Sequence, residues 1–387
     1  MPFLHYFTKR MLHFFLHVFW IFPVKKKRIL LLNELSFKYG DNLKYLNEYI
    51  KNNLAEAYEV VFPLADRNEA VTQNLRYVRP FSFAYFKYLL TSSVIITNSG
   101  GVSYLPLRKN QLAMSTWHGG GPYKKTGNAV YQNKWYEREL KMHRKNTRYI
   151  LSSCEYFSRL EAPGMLFEKE SCIESGMPRN DIFFDKSLPL REKVFGVLGL
   201  ETSVKLVLFA PTFRSNPSDF TDSKQYHVSD VDYNRLLDSL QRKFGGRWKL
   251  AVRLHPKLKD AVIDVPNAVN CTDYPDMQEL LYAANVVITD YSSLMWDFSL
   301  TGRPCFLYAD DLDEYERERE RGFYMPSSQW PYPIARNNDE LEKNILGFDW
   351  GLYRQAVREH HKACGSYEQG RACETVLRII NEYMFKE

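Results

Sequence analysis

The segment from Val286 to Phe298, VVITDYSSLMWDF, predicts a strand, a turn and a helix in succession. Its first four residues are mostly β-branched, too few for a helix and apolar enough to be buried on both faces, as parallel strands are. The acid and the two serines that follow are residue types that cap the N-terminus of a helix. We therefore expect a helix to begin in this turn and to continue through Phe298.

A helix start at the carboxyl end of a parallel strand is a typical anion site, because free N–H groups and the helix dipole both favour negative charge there. Ser292 and Ser293 would then bind a phosphate group. An ordinary strand-to-helix turn capped by serine explains this segment equally well. Other stretches of the chain have to decide between the two interpretations.

The composition is that of a globular protein with room for two domains. The chain has 387 residues, of which 45% are apolar and 15% aromatic, which excludes a disordered chain. Its net charge of +6 comes from 52 basic and 46 acidic residues. Residues 1–28 contain six basic and no acidic side chains, so this segment accounts for the whole excess. A nucleic-acid-binding protein would spread its positive charge differently, and we expect no nucleic-acid partner.

The six cysteines are scattered along the chain without a C-x-x-C pair. Several lie inside apolar runs, which favours buried free thiols in a reducing compartment. Their spacing does not resemble a zinc site. We expect neither a structural metal nor a cofactor.

The N-terminal segment 1–27 predicts a helix that lies on a membrane surface. Residues 11–22 are mostly aliphatic and aromatic, but His13 and His17 interrupt them and the run is too short to span about 30 Å of hydrocarbon. No small-residue cleavage site follows, which argues against a secretory signal peptide. Apolar side chains and flanking cations are typical of a helix bound to anionic lipid. The alternative is a helix that packs against the protein itself.

Short aliphatic runs alternate with segments of helical period along the rest of the chain, which predicts doubly wound parallel sheets. The first series of predicted strands covers 29–32, 60–62, 94–97, 112–115, 149–152 and 171–174. The second covers 206–209, 250–252, 286–288 and 305–308. We therefore predict an α/β protein with two Rossmann-type domains facing a cleft, at 28–190 and 191–370, and a C-terminal helix at 371–387. Ligands of such sheets bind at the carboxyl ends of the strands.

One polar loop at such a strand end contains a histidine and three glycines. His118 follows the strand predicted at 112–115, and Gly119 begins the glycine run. Glycines allow a ligand to approach the backbone closely, and a histidine that titrates near neutrality suits a general base. Lys124 adds a positive charge. A structural turn with a surface histidine is the alternative, and the combination of features favours a functional loop.

Three further clusters of polar or basic side chains follow predicted strands or lie near the domain crossing. Thr212 and Arg214 follow the first strand of the second domain, where a guanidinium can bind phosphate oxygens with two hydrogen bonds. Each cluster alone could be a surface loop. Their common position at strand ends, together with Ser292, favours one anion-binding cleft. The other two clusters are Arg253 with His255, and Arg179 with Asn180.

Other nucleotide-binding classes lack support. The chain has no G-x-G-x-x-G after its first strand and no G-x-x-x-x-G-K-[ST] motif, so dinucleotide oxidoreductases and P-loop enzymes are not indicated. Asp311 and Asp313 could hold a divalent ion with a diphosphate, but they lie in a run of charged residues that predicts a solvated surface.

Seven motifs resemble the CDP-glycerol glycerophosphotransferases of teichoic-acid and capsule synthesis, a family with the two-domain GT-B fold. Any one of them is weak, but their order and spacing along most of the chain are specific. The chain departs from the family pattern at two places: Leu43 stands where the family usually has proline, and residues 330–333 replace an expected Pro-Gly-Pro. The second departure leaves the polyol or acceptor class open and favours a capsule-type enzyme. The motifs are residues 40–46, 117–119, 176–181, 210–214, 253–256, 289–293 with Asp297, and 321–324.

The resemblance implies roles for individual residues. His118 and His255 correspond to the family's catalytic pair. The predicted substrate-binding residues, from resemblance and position together, are Gly119, Lys124, Arg179, Asn180, Thr212, Arg214, Arg253, Ser292, Ser293 and Asp297. Asp297 could equally belong to the core.

The resemblance also implies the reaction and its setting. A polyol phosphate, with glycerol phosphate favoured, would pass from a CDP-polyol to a hydroxyl of a lipid-linked saccharide or a growing polyol-phosphate chain, with release of CMP. Family members are peripheral proteins of the bacterial membrane, so we expect the cytoplasmic face of that membrane. A GT-B glycosyltransferase that uses a nucleotide sugar is the main alternative, and a membrane-bound nucleotide-binding scaffold is a non-enzymatic one.

Overall fold

A computed structural model describes residues 2–54, 57–130, 133–212, 230–254, 268–318 and 322–385. The chain divides into two compact units, Met1–Phe184 with Cys364–Glu387, and Asp185–Ala363. Each unit contains a six-stranded sheet whose paired strands all run parallel. Two parallel α/β sheets confirm the predicted fold class.

The sheet of the first unit has the strand order β2-β1-β3-β4-β5-β6. Its strands are β1 Lys25–Leu32, β2 Glu59–Val61, β3 Ser92–Thr97, β4 Leu112–Ser115, β5 Thr147–Ser152 and β6 Cys172–Glu174. Ile29 and Leu31 pack into one hydrophobic cluster, whereas Leu30 and Leu32 pack into another. Successive side chains point to opposite faces of a strand, so an uninterrupted aliphatic run fits a sheet that is covered on both sides.

Over the described residues, the first unit has six α-helices, and the last of them lies near the C-terminus. They are α1 Pro2–Leu16, α2 Asp41–Leu54, α3 Arg67–Thr72, α4 Phe83–Thr91, α5 Lys134–Asn146 and α13 Ala372–Phe385. Val376 and Ile380 of α13 are fully buried in the cluster that contains Ile29. The C-terminal helix therefore completes the core of the first unit. The sequence-based boundaries at 190 and 370 differ from this division, which falls after Phe184 and Ala363.

The sheet of the second unit has the order β12-β11-β10-β7-β8-β9. Its strands are β7 Lys205–Phe209, β8 Trp248–Val252, β9 Val269–Asn270, β10 Val286–Thr289, β11 Cys305–Tyr308 and β12 Ile334–Ala335. Its helices are α6 Leu190–Val197, α7 Tyr233–Phe244, α8 Met277–Ala283, α9 Leu294–Ser299, α10 Leu312–Glu318, α11 Asn338–Leu346 and α12 Trp350–Cys364. The predicted strand, turn and helix at 286–298 are confirmed as β10 and α9.

The N-terminal helix packs on the first unit with one face only. Leu16 and Phe19 are buried in the core, Lys9 forms an ion pair with Glu139 of α5, and the Trp20 indole donates a hydrogen bond to the Pro106 carbonyl. The N-terminal helix therefore packs against the protein itself, which was the alternative interpretation of this segment. The other face of α1 and of the 3-10 turn His17–Ile21 that follows it leaves large apolar side chains exposed, namely Leu4, Phe7, Met11, Phe14, Phe15, Val18 and Ile21.

The described part of the chain contains no helix whose length and apolar character would let it cross a bilayer. All six cysteine thiols are free, and five of them are buried.

Candidate functional site

The loop after β4 places His118 beside the end of β3. The imidazole Nδ1 lies 3.1 Å from the Asn98 carbonyl oxygen. A carbonyl can only accept, so Nδ1 carries the proton and donates it. The second ring nitrogen, Nε2, is then the one with a lone pair, which is the form that a general base requires.

A buried ion pair supports this loop from behind. The Arg179 guanidinium donates to the Asp41 carboxylate at 2.8 Å and to the His118 carbonyl oxygen at 2.8 Å. The second Asp41 oxygen accepts a hydrogen bond from the Asn98 amide at 2.9 Å. Arg179 and Asp41 are 138 residues apart, so only the fold brings them together. Three polar residues thus fix both the backbone of His118 and the carbonyl that orients its ring.

The charge state of His118 follows from these neighbours. Solvent reaches the side chain, yet protein atoms crowd most of its surroundings. This desolvation lowers the pKa of the imidazole, whereas the Asp41 carboxylate and the Asn98 carbonyl raise it and Arg179 lowers it again. The net direction is downward, so His118 is neutral at pH 7 and able to accept a proton.

Trp117 and Glu161 flank the histidine on its other side. The Trp117 indole lies with its ring centroid 4.2 Å from the His118 ring and donates to the Glu161 carboxyl at 3.0 Å. Burial raises the pKa of Glu161 to about 8, so this carboxyl is largely protonated at neutral pH. Glu161 therefore positions the indole without adding a negative charge beside the imidazole.

Other predicted residues of the first unit have internal contacts. Asn180 is fully buried, and its amide donates to the Glu368 carboxylate at 2.9 Å. We therefore assign Asn180 a structural contact, and its predicted substrate-binding role stays a prediction. Gly119 and Lys124 are both partly buried on the loop that follows His118. The Gly121 amide donates to the Ser153 hydroxyl at 3.0 Å, and its φ of 73° is one that glycine adopts without strain.

In the second unit, Asp290 joins the turn after β10 to the turn after β7. Its carboxylate accepts hydrogen bonds from the Thr212 amide at 2.9 Å, from the Thr212 hydroxyl at 2.9 Å and from the Tyr291 amide at 2.6 Å. Thr212 and Ser292 therefore lie at one edge of the sheet, as predicted from their strand positions.

The serines of this turn lie before a short helix. Ser292 and Ser293 are partly buried, and the Leu294 amide donates to the Ser292 hydroxyl at 3.4 Å. Ser293 is the residue before the helix, but its side chain makes no capping hydrogen bond. Because α9 has only six residues, its dipole is weaker than that of a long helix. Local N–H groups and hydroxyls would therefore dominate any binding of an anion here.

Two further predicted residues lie deeper in the second unit. Asp297 is 1% exposed and accepts a hydrogen bond from the Gln278 amide at 2.9 Å. It thus lies in the core, which was the second interpretation of this residue. The Arg253 amide donates to the Phe209 carbonyl at 2.9 Å, and burial lowers the pKa of its guanidinium. Its Nη1 is buried without a hydrogen-bond partner among the described residues.

Arg214 and His255 lie outside the described residues, so their predicted roles stay predictions. Asp311 accepts a hydrogen bond from the Tyr291 hydroxyl at 2.8 Å, and Asp313 forms an ion pair with Arg336 at 2.8 Å. Within the described ranges, no group of three or more His, Cys, Asp or Glu side chains could hold a metal ion.

Three residues near His118 were not singled out from the sequence, namely Asn98, Asp41 and Glu161. Asn98 directly follows β3, so the rule that singled out His118 at the end of β4 would have found it. Asp41 lies inside a motif that was used only for the resemblance. No sequence pattern pointed to Glu161, because its contact with Trp117 spans 44 residues and depends on the fold.

Comparisons with known proteins agree with this architecture. A sequence model of the family described as CDP-Glycerol:Poly(glycerophosphate) glycerophosphotransferase matches residues 14–382. A teichoic acid poly(glycerol phosphate) polymerase of Bacillus spizizenii is 27% identical over 346 residues, which are 84% of this chain and 84% of that protein. A teichoic acid glycerol-phosphate transferase of Staphylococcus aureus is 26% identical over 359 residues, 89% of this chain and 90% of that protein.

A solved structure of the wall teichoic acid polymerase TagF has a similar fold. It superimposes with a TM-score of 0.81 at 23% identity and covers 98% of both chains. At this level of identity, the similarity supports the fold alone.

Proposed function

The chain belongs to the CDP-glycerol:poly(glycerophosphate) glycerophosphotransferase family, and we propose that it uses His118 as general base to transfer glycerol phosphate from CDP-glycerol to an acceptor hydroxyl. The acceptor is a lipid-linked saccharide or a growing teichoic-acid or capsule chain. The relatives named above, a glycerol phosphate polymerase and a glycerol-phosphate transferase, support this donor.

The bonds that change in this reaction are few. The acceptor oxygen bonds to the β-phosphorus of the donor, the bond from that phosphorus to the bridging oxygen breaks, and CMP leaves with the electron pair. His118 Nε2 takes the proton of the acceptor hydroxyl. Catalysis of phosphoryl transfer depends mainly on positioning and on stabilisation of negative charge.

The observation that carries this proposal is the support of His118 by Arg179, Asp41 and Asn98. These contacts fix the imidazole in the tautomer with a lone pair on Nε2, and desolvation keeps the ring neutral at the pH of the cell. A histidine on an ordinary surface turn would need neither a fixed tautomer nor a lowered pKa. The arrangement therefore fits a proton acceptor.

The donor side of the proposal rests on the second unit. Thr212, Ser292 and Ser293 supply hydroxyls at one edge of its sheet, and Arg253 supplies a guanidinium at the end of β8. Arg214 and His255 would add positive charge by their resemblance to the family. Together these groups would hold the diphosphate and the charge that develops on departing CMP.

Membrane attachment is a separate part of the proposal. The outer face of α1 and of the segment after it exposes Phe14 at 71% and Ile21 at 75%, and Lys25 to Lys27 are exposed directly after it. Such a face suits the headgroup region of an anionic bilayer. We place the protein peripherally on the cytoplasmic side of the bacterial membrane, where lipid-linked acceptors are available.

A liposome assay tests the attachment. The Phe14→Glu/Ile21→Glu variant should lose co-flotation with vesicles that contain anionic lipid, because two charges would enter the apolar contact. Leu352→Glu, at an apolar site of the second unit that is 70% exposed, is the matched control. Equal flotation of all three proteins would refute membrane attachment through this face.

Product analysis tests the reaction. The protein is incubated with CDP-glycerol, CDP-ribitol or UDP-sugars, with and without acceptor, and released CMP or UDP is measured. We expect acceptor-dependent CMP release from CDP-glycerol. The His118→Ala variant should turn over at least about 100-fold more slowly, as expected for a lost general base. Release of UDP alone would favour a glycosyltransferase instead.

A further inference from the structure

A cavity of about 610 Å³ opens beside His118, entirely within the first unit. Helix α1 contributes Lys9 to its lining, and α5 contributes Glu139 and His143. Six of the 15 described residues that line it are phenylalanine, tyrosine or tryptophan, and we call it the aromatic cavity. The aromatic residues are Phe37, Phe81, Tyr85, Tyr104, Trp117 and Tyr136.

Three of these rings form one continuous wall. The Phe81 centroid lies 5.5 Å from that of Phe37 and 5.5 Å from that of Tyr85, and Phe37 meets Tyr85 edge to face. Tyr85 is fully buried beneath them, whereas Phe81 is 66% exposed. Solvent can therefore reach the apolar ring surface of this wall at Phe81.

Three aromatic residues that line the cavity have an unusual backbone conformation. Phe37, Phe81 and Trp117 have φ values of 51°, 61° and 55°, and they are three of the six described non-glycine residues with positive φ. Bulky side chains disfavour this region, and such strain persists only where the surrounding structure maintains it. At Phe37, hydrogen bonds from its amide to the Asn33 carbonyl and from the Ala65 amide to its own carbonyl maintain this conformation. The position of the Phe37 ring is thus built into the fold.

Polar groups reach the same cavity. The Glu34 carboxylate accepts hydrogen bonds from Thr97 at 3.1 Å and from Ser99 at 2.5 Å. His143 is 5% exposed, and its Nε2 has no hydrogen-bond partner among the described residues. Burial lowers the pKa of His143 to about 4, so its ring is neutral at pH 7. The cavity thus combines aromatic faces with a carboxylate and a neutral imidazole.

The charges in the cavity disfavour a polyanion. Among the described residues that line it, Lys9 is the one lysine or arginine, and Lys9 already pairs with Glu139. A poly(glycerol phosphate) chain carries a negative charge at every unit, and Glu34 would repel it. A neutral sugar ring avoids this cost, because its C–H face can pack on aromatic rings while its hydroxyls bind carboxylate and imidazole.

We infer that the aromatic cavity binds a neutral pyranose of the acceptor, next to the hydroxyl that His118 deprotonates. This inference rests on the proposed function, since it takes His118 as the base. The pyranose packs on Phe81 and Phe37, and its hydroxyls face Glu34 and the edge that contains His118. The preferred acceptor is therefore a saccharide end rather than a polyol-phosphate end.

The test compares two acceptors on the same short alkyl tail: a neutral disaccharide and an oligomer of glycerol phosphate. We expect faster CMP release with the disaccharide. Phe81→Ala should raise the KM for the disaccharide at least about 10-fold and leave the KM for CDP-glycerol unchanged. Phe83→Ala is the matched control, because Phe83 is 64% exposed and packs against Phe19 instead of lining the cavity.

Saturation-transfer NMR with the disaccharide, without donor, separates this inference from the proposed function. If the wild type saturates the sugar C–H protons and Phe81→Ala abolishes that signal, the result supports sugar binding in the aromatic cavity. It does so even if no CMP is released, in which case only the proposed reaction is in doubt. CMP release with the glycerol phosphate oligomer and no sugar saturation overturns the inference while the reaction stands. An unchanged signal in Phe81→Ala also overturns it.

Discussion

An aspartate supports the turn after β4 and another supports the turn after β10, but the two carboxylates contact different groups. Asp41, at the first turn, is partly buried, and Asp290, at the second, is buried. Asp41 pairs with Arg179 and, through it and Asn98, fixes His118. Asp290 accepts hydrogen bonds from Thr212 and Tyr291 and joins two loops to each other. The first carboxylate supports a group that can exchange a proton, and the second shapes a surface of amides and hydroxyls. This difference suggests that the first unit performs the proton transfer and the second binds the donor.

The largest expected effect is that of Asp41→Asn on the free energy of unfolding. Asp41→Asn leaves the Arg179 guanidinium, whose side chain is 8% exposed, without its counter-charge. Removing one partner of a buried pair costs about 3–5 kcal/mol. Urea unfolding of the variant should show a loss of this order, together with slower CMP release. The double variant Asp41→Asn/Arg179→Met should recover much of the stability but not the activity. Unchanged stability of the single variant would show that the pair does not fix this loop.

A smaller effect is expected at the second turn. Asp290→Asn keeps an oxygen acceptor and removes only the charge, so its hydrogen bonds weaken rather than disappear, and we expect a loss of about 2 kcal/mol in all. Part of this loss should appear as weaker donor binding, about 10-fold in the Kd for CDP-glycerol by calorimetry. The rate at saturating donor should change less than in Asp41→Asn. A larger change in rate than in donor Kd would break the proposed division between the two units.

The third effect concerns Glu161 and is a dependence on pH rather than a loss at one fixed pH. Its carboxyl ionises near 4.5 in an unfolded chain but at about 8 in the fold. Between these values the unfolded chain binds fewer protons, so the contribution of Glu161 to stability is greatest below pH 4.5 and is lost as the pH rises through 8. Glu161→Gln keeps a hydrogen-bond acceptor for Trp117 without this titration. The urea midpoint of the wild type should therefore fall more steeply between pH 5 and pH 8 than that of the variant. Parallel slopes would contradict the buried state of Glu161.

The sequence predicted the strands better than the contacts between them. Runs such as residues 29–32 and 305–308 are apolar throughout, and their burial follows directly from that composition. Strands β9 and β12 have two residues each and leave no periodic signal. His118 could be found because it follows a strand and directly precedes a glycine run.

The partners of that histidine could not be found in the same way. The contact of Arg179 with Asp41 spans 138 residues, and that of Asn180 with Glu368 spans 188. No local pattern encodes such pairs, since they form only when segments that are far apart in the chain pack together. For the same reason, Asp297 was compatible with pocket and core until its contact with Gln278 was known.

The pH dependence of kcat/KM for CMP release tests the role of His118 most directly. A neutral base works above its pKa, and the pKa of His118 is lowered from its ordinary 6.5. We predict that wild-type activity falls on the acid side with an apparent pKa below 6.5. We expect His118→Gln to retain the donor Kd of the wild type, and this acid limb should be absent from its residual activity. The same acid limb in His118→Gln would contradict the assignment of His118 as the general base.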